Sequence, residues 1–258
     1  MPDNPAWRLH SLLEKLVNHT PETIHEKTEV AIKAAFRFRG PRTFGEDHGK
    51  DYVLYHVFHL QQLAKDVIDW VEKRELDREL FKRPVERLWR AVLEIRPDAL
   101  FTETKERFSL ADVTSLRYLS HQFEQEGSRN KQLVDQDEME DLLAEVDALY
   151  DAVQASGMPE DVETFILEQL AAIKHAIRVY PYKGYESLQL ALYRSIGATL
   201  LFSGRLDQVA PQYPEEVSRW KSVMRHLSTV LTKASEVATI AEPLKPYVAR
   251  LLGMEEPK

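Results

Sequence analysis

The sequence predicts an all-α protein, a multi-helix bundle or helical array of about nine or ten helices with no significant sheet. Three observations carry that reading. Apolar residues recur at alternating steps of three and four along most of the chain. Proline and glycine fall where such stretches begin and end. No run of useful length alternates with period two, as a half-buried strand would.

Taken in order, Asn4-Pro5 reads as a cap and first helical residue, with Leu9, Leu12, Leu13 and Leu16 inward. Thr20-Pro21 repeats that signal, and Ile24, Ala31, Ala34 and Phe38 predict a second helix up to about Arg39. A glycine-rich loop, GPRTFGEDHGK, follows. It leads into the helix expected to be central, 50–75, whose stripe is Val53, Val57, Leu60, Ala64, Val67 and Val71. Leu54 and Phe58 lie on the opposite side, so the first half of this helix is expected to be buried on several sides. It is expected to reach about Lys82, with Pro84 opening the next helix and Pro97 ending it. Ser109 with Asp112 resembles a capping box. Met139, Leu142, Leu143, Val146, Leu149, Tyr150 and Val153 mark a long helix stopped by Gly157. Another runs from Pro159 to the turn expected at YPYKG, Tyr180–Gly184. Leu188 to Leu201 is helical, SGRLDQVAPQYP is read as a loop, and Pro214 opens the last long helix. The polar connection at 127–134 divides the chain into an N-terminal helical half, 1–126, and a C-terminal half, 135–253, with one continuous domain as the alternative.

Composition narrows the function classes. The net charge of −8 argues against nucleic acid as a partner, since phosphate neutralisation needs a basic surface. The chain has no cysteine, which removes thiol nucleophiles and Cys-based metal sites. No signal-peptide pattern opens the sequence, and no run approaches the roughly 18 apolar residues of a spanning helix. A cytoplasmic protein that neither crosses nor acts on a membrane is expected.

Four residues around the start of the central helix are the densest set of functional side chains: His48, Asp51, His56 and His59. Imidazole and carboxylate serve as metal ligands and as acid–base groups. His56 and His59, three apart, share a helix face, but Val57 and Phe58 between them do not make the HExxH pattern. The alternative is a core histidine beside acids that cap the helix. Arg37, Arg39 and Arg42 are candidates for an anion site at the loop, although the spacing is not that of a phosphate-binding loop. Arg117 and His121 are similar to the Arg-to-His motif of the all-helical HEPN ribonucleases, with three intervening residues where that family has four to six. Between Gln132 and Ile173 there is no Lys or Arg. The acids there, among them Asp137, Glu138, Asp141, Glu145 and Asp147, form either a solvated face or a docking surface for a basic partner.

Residues 162–202, in which one helix ends at Tyr-Pro-Tyr-Lys-Gly and the next closes on Ile-Gly-Ala, resemble the C-terminal halves of uncharacterised helical bacterial proteins, some from phage-defence or mobile-element contexts. The resemblance covers about a sixth of the chain and has no catalytic motif, so it implies a bacterial conflict setting and no residue roles. The leading expectation is a non-catalytic helical interaction protein, a component or regulator of a bacterial defence or toxin-linked system. It would need no cofactor, and would bind a protein partner or a second copy of itself through 135–170 and 214–240. The alternatives are a helical nuclease or metal-dependent hydrolase using the His/Asp cluster, and a membrane-acting effector working through its C-terminal helices.

Overall fold

The computed structural model describes residues 3–36, 49–74, 76–125 and 133–234. Within them the chain forms ten α-helices: α1 (Pro5–Asn18), α2 (Thr28–Ala35), α3 (Gly49–Lys73), α4 (Arg83–Leu93), α5 (Phe101–Lys105), α6 (Leu110–Gln125), α7 (Gln136–Ser156), α8 (Glu160–Lys183), α9 (Tyr185–Val209) and α10 (Pro214–Ala234). No strand forms among the described residues; one isolated bridge joins Lys27 to Leu100. The fold is all-α, as the periodicity predicts. Among the described residues no helix is long and apolar enough to cross a membrane.

The chain divides into two compact units. Unit 1 comprises Met1–Asn130 together with Pro181–Gly184; unit 2 comprises Lys131–Tyr180 and Tyr185–Lys258. A single cut near 127–134 does not anticipate the return of four residues from the end of α8 to unit 1.

In unit 1, α1 packs on α6 and α3, and α3 packs on α4 and α2. The predicted stripe of α3, from Val53 to Val71, is buried throughout. Asn4 caps α1 by accepting from the Trp7 N–H at 2.9 Å, and its amide donates to the Ser120 carbonyl and hydroxyl on α6, both at 3.2 Å. One side chain thus ends one helix and fastens it to another. Thr20-Pro21 does not start a helix, and α2 begins eight residues after Thr20, with Ile24 exposed. The intervening segment folds around the Glu26 carboxylate instead, which meets His19 Nε2 at 2.6 Å and accepts the Glu22 N–H at 2.8 Å. The expected continuation of α3 to Lys82 is interrupted. α3 ends at Lys73, and a π-helical turn, Arg78–Lys82, precedes α4. Only half of the capping box at α6 forms. The Asp112 N–H donates to Ser109 Oγ at 3.4 Å, but the Asp112 carboxylate takes both prongs of Arg87 at 2.8 and 2.5 Å.

In unit 2, α10 packs on α7 and α9. Phe165 on α8 stacks on Phe202 of α9 at 4.4 Å and meets the buried Trp220 of α10 edge-on. Gly157, at φ 69°, ends α7 in the left-handed conformation that glycine adopts without strain. Two loops read from sequence are helical here: YPYKG is the last turn of α8, with Pro181 inside the helix, and α9 runs through SGRLDQV to Val209.

Candidate functional site

His48 and the three arginines Arg37, Arg39 and Arg42 lie outside the described residues. Asp51 stands in the first turn of α3, and its side chain is likewise outside them. His56 and His59 stand one turn apart on α3.

His56 is a core residue, 3% exposed. Its ring lies 6.0 Å from Phe36 at the end of α2 and 5.6 Å from Tyr55. Its Nδ1 shares a 2.5 Å hydrogen bond with the hydroxyl of Tyr182, 126 residues away in sequence. The same tyrosine ring stacks on His59 at 5.4 Å. Tyr182 is itself buried and belongs to the Pro181–Gly184 segment that packs with unit 1. Two further contacts hold this segment. Arg8, paired with Asp3, donates from Nε to the Tyr182 carbonyl at 3.2 Å, and Gly184 adopts φ 68° directly against that same ion pair. Tyr182 is the residue that sequence reasoning missed. Its signal was present, two tyrosines flanking a proline, but the proline made the stretch read as a turn.

Burial sets the chemistry of His56. Removal from water, reinforced by the neighbouring His59, pushes its pKa from 6.5 down to about 4. At neutral pH the ring is therefore uncharged and a weak base, where a general base works best with a pKa near the operating pH. Among the described residues no three His, Cys, Asp or Glu side chains are grouped to hold one metal ion. The histidine–tyrosine pair satisfies polar groups inside the core and locks the end of α8 in place. His10 is a second buried imidazole in unit 1, also lowered by burial, and stacks on Trp7 at 5.3 Å. His121 is exposed and meets Glu124 at 3.2 Å; Arg117 on the same helix is also exposed.

The acidic block is divided by its partners within unit 2. Glu138 pairs with Lys233 and Glu145 with His226, at 3.2 Å in the second case, tying α7 to α10. Asp147 pairs with Lys174 of α8, both largely shielded. Asp137 and Asp141 stay on the exposed side of α7, with the Asp137 N–H capped by Asp135 at 2.8 Å. The arrangement joins helices of one unit with three of the five carboxylates.

Large apolar side chains stand in water on several elements, among them Leu80, Leu110 and Tyr118 besides those of α3 and α9. Leu54 and Phe58 of α3 are each more than half exposed, so the expectation that the first half of this helix is buried on several sides is not met. On α9, Leu190 is 59% and Leu201 92% exposed. They are eleven residues apart, close to three whole turns, and share one stripe with Gly197 and Gly204. Among the described residues, a Cβ added at either glycine would meet nothing within 4 Å, so packing against them does not require glycine there.

No protein-family model matches the chain, and neither a curated protein nor a solved structure does.

Proposed function

We propose that this protein is a non-catalytic interaction protein that works by presenting helical faces to another polypeptide. The observation that carries the reading is the contrast in burial between its histidine cluster and its leucines. The best candidate for chemistry, His56, is bonded to Tyr182 inside the core, whereas Leu190 and Leu201 stand in solvent. Both lie on one face of α9, and covering them by another polypeptide would remove apolar surface from water. Glu138, Glu145 and Asp147 are paired within unit 2, which fits a structural role, and the face we favour is therefore α9 in place of 135–170 and 214–240. The resemblance of residues 162–202 supports a bacterial defence or toxin-linked setting.

Elemental analysis of the purified protein, beside a His56→Ala/His59→Ala variant, tests the reading. We expect no stoichiometric metal in the parent and a variant that is destabilised. A stoichiometric metal that disappears in a still-folded variant would instead establish the metal-dependent hydrolase, with His48 and Asp51 completing its ligand set.

A further inference from the structure

We propose that α9 is a self-association face, on which two copies of the chain pack antiparallel with Leu190 of each opposite Leu201 of the other. The inference rests on the interaction reading above and names its partner.

The two leucines are among the most exposed large apolar side chains described, and both lie on one stripe of a 25-residue helix. Their separation along the axis is about 16 Å, enough for two contacts in a paired arrangement. What identifies a second copy as the occupant is the order of residues around them. Moving outward by one turn, Leu190 is flanked by Glu186 and Leu201 by Arg205. Moving inward by one turn, Leu190 is flanked by Arg194 and Leu201 by Gly197. In the antiparallel register that sets leucine against leucine, Glu186 therefore stands level with Arg205 of the other copy, within reach across the end of the leucine pair. The long Arg194 side chain lies over Gly197, the position with no side chain to obstruct it. Each relation occurs twice about the two-fold axis, as a self-complementary interface requires. A parallel register would set Arg194 against Arg194 and Glu186 against Glu186.

Arg205 is half-exposed and already donates to Asp161 at 2.7 and 3.1 Å and, from Nη1, to the Gln208 side-chain carbonyl at 3.2 Å, which orients its guanidinium at the rim of this face and leaves the second proton on each Nη for another acceptor. Donors in that planar fork can serve a second carboxylate. Gly197 and Gly204 would let the two backbones approach closely, which accounts for glycine in the interior of a helix where no described residue crowds it. One helix pair makes an interface at or below the roughly 1,200 Å² of weak complexes, so a weak dimer is sought from about ten to several hundred micromolar.

The test is sedimentation equilibrium of the full chain across that concentration range, combined with crosslinking that exploits its lack of cysteine. We expect a reversible dimer, weakened at least tenfold by Leu201→Asp. Glu186→Arg should weaken it as well, and adding Arg205→Glu should restore it. The Leu190→Cys/Leu201→Cys double variant should give a disulfide-linked dimer on mild oxidation, while neither single variant does so above background. A chain that stays monomeric at several hundred micromolar, or single variants that crosslink to themselves through a parallel pairing, would overturn the proposal. Either result leaves the interaction reading to be decided by the metal analysis above.

Discussion

On the inner face of α3 an imidazole is buried; on the outer face of α9 two leucines are not. His56 is titratable and yet meets Tyr182 in the core, while Leu201 has nothing to titrate and stands almost wholly in water. Residue type alone would rank the first as functional and the second as filler. Burial reverses the ranking, because a group withdrawn from solvent must be satisfied where it stands, whereas an exposed leucine gains by being covered.

The comparison breaks most readily at Tyr182. Tyr182→Ala removes a buried aromatic ring and the partner of His56 together. We expect a loss of about 3–5 kcal/mol in the unfolding transition of unit 1, measured by urea denaturation. Tyr182→Phe, which removes only the hydroxyl, should lose roughly 1–3 kcal/mol. Equal losses in the two variants would mean that the hydrogen bond, and not ring packing, dominates.

The next effect is pH dependence. Burial lowers the His56 pKa from 6.5 to about 4, so the unfolded chain takes up a proton that the folded chain refuses. The sign follows from that difference. The contribution is complete above about pH 6.5 and is lost as the pH falls towards 4, to the extent of roughly 3 kcal/mol. Lowering of the His10 pKa acts in the same direction. Urea midpoints from pH 7.5 to 4.5 should therefore fall more steeply for the parent than for a His56→Gln variant. Parallel slopes would remove His56 from the pH dependence.

A smaller effect separates the two left-handed glycines. Gly157 and Gly184 have nearly the same φ, 69° and 68°. A non-glycine residue there costs about 1–2 kcal/mol from conformation alone. At Gly157 the space is open, whereas at Gly184 a Cβ would run into the Arg8 guanidinium and the Asp3 carboxylate. Gly184→Ala should destabilise the protein clearly more than Gly157→Ala, as read by thermal unfolding. The smallest effect on stability belongs to α9, where Leu201→Asp should change it by no more than about 0.5 kcal/mol, since the side chain is exposed.

The fold was legible in the sequence wherever one stripe met one core. The stripe of α7, from Met139 to Val153, is buried at every position but Tyr150, which is half-buried, and that of α3 is buried throughout. Punctuation was less reliable. Thr20-Pro21 looks like a helix start, but the Glu26 carboxylate organises that segment through His19 and the Glu22 amide. Pro181 looks like a stop, because a proline past the first turn lacks the amide donor and crowds the carbonyl four residues before it, yet α8 runs on to Lys183. The site was legible only in part, for a physical reason. His56 could be placed on an apolar helix face, but its partner lies 126 residues away, and local periodicity holds no record of such a pairing. The exposure of Leu54 and Phe58 was equally hidden, because an apolar side chain on a helix carries no mark of whether a neighbour covers it.

The central claim is that His56 belongs to the core and does not act as an acid or base. An NMR titration of the histidine ring protons, with His56 assigned through His56→Gln, tests it most directly. The account predicts that the His56 resonances hold the shifts of a neutral ring from pH 8 to about pH 5, moving only as the pH nears 4. A His56 that titrates near 6.5 in the folded protein would contradict it.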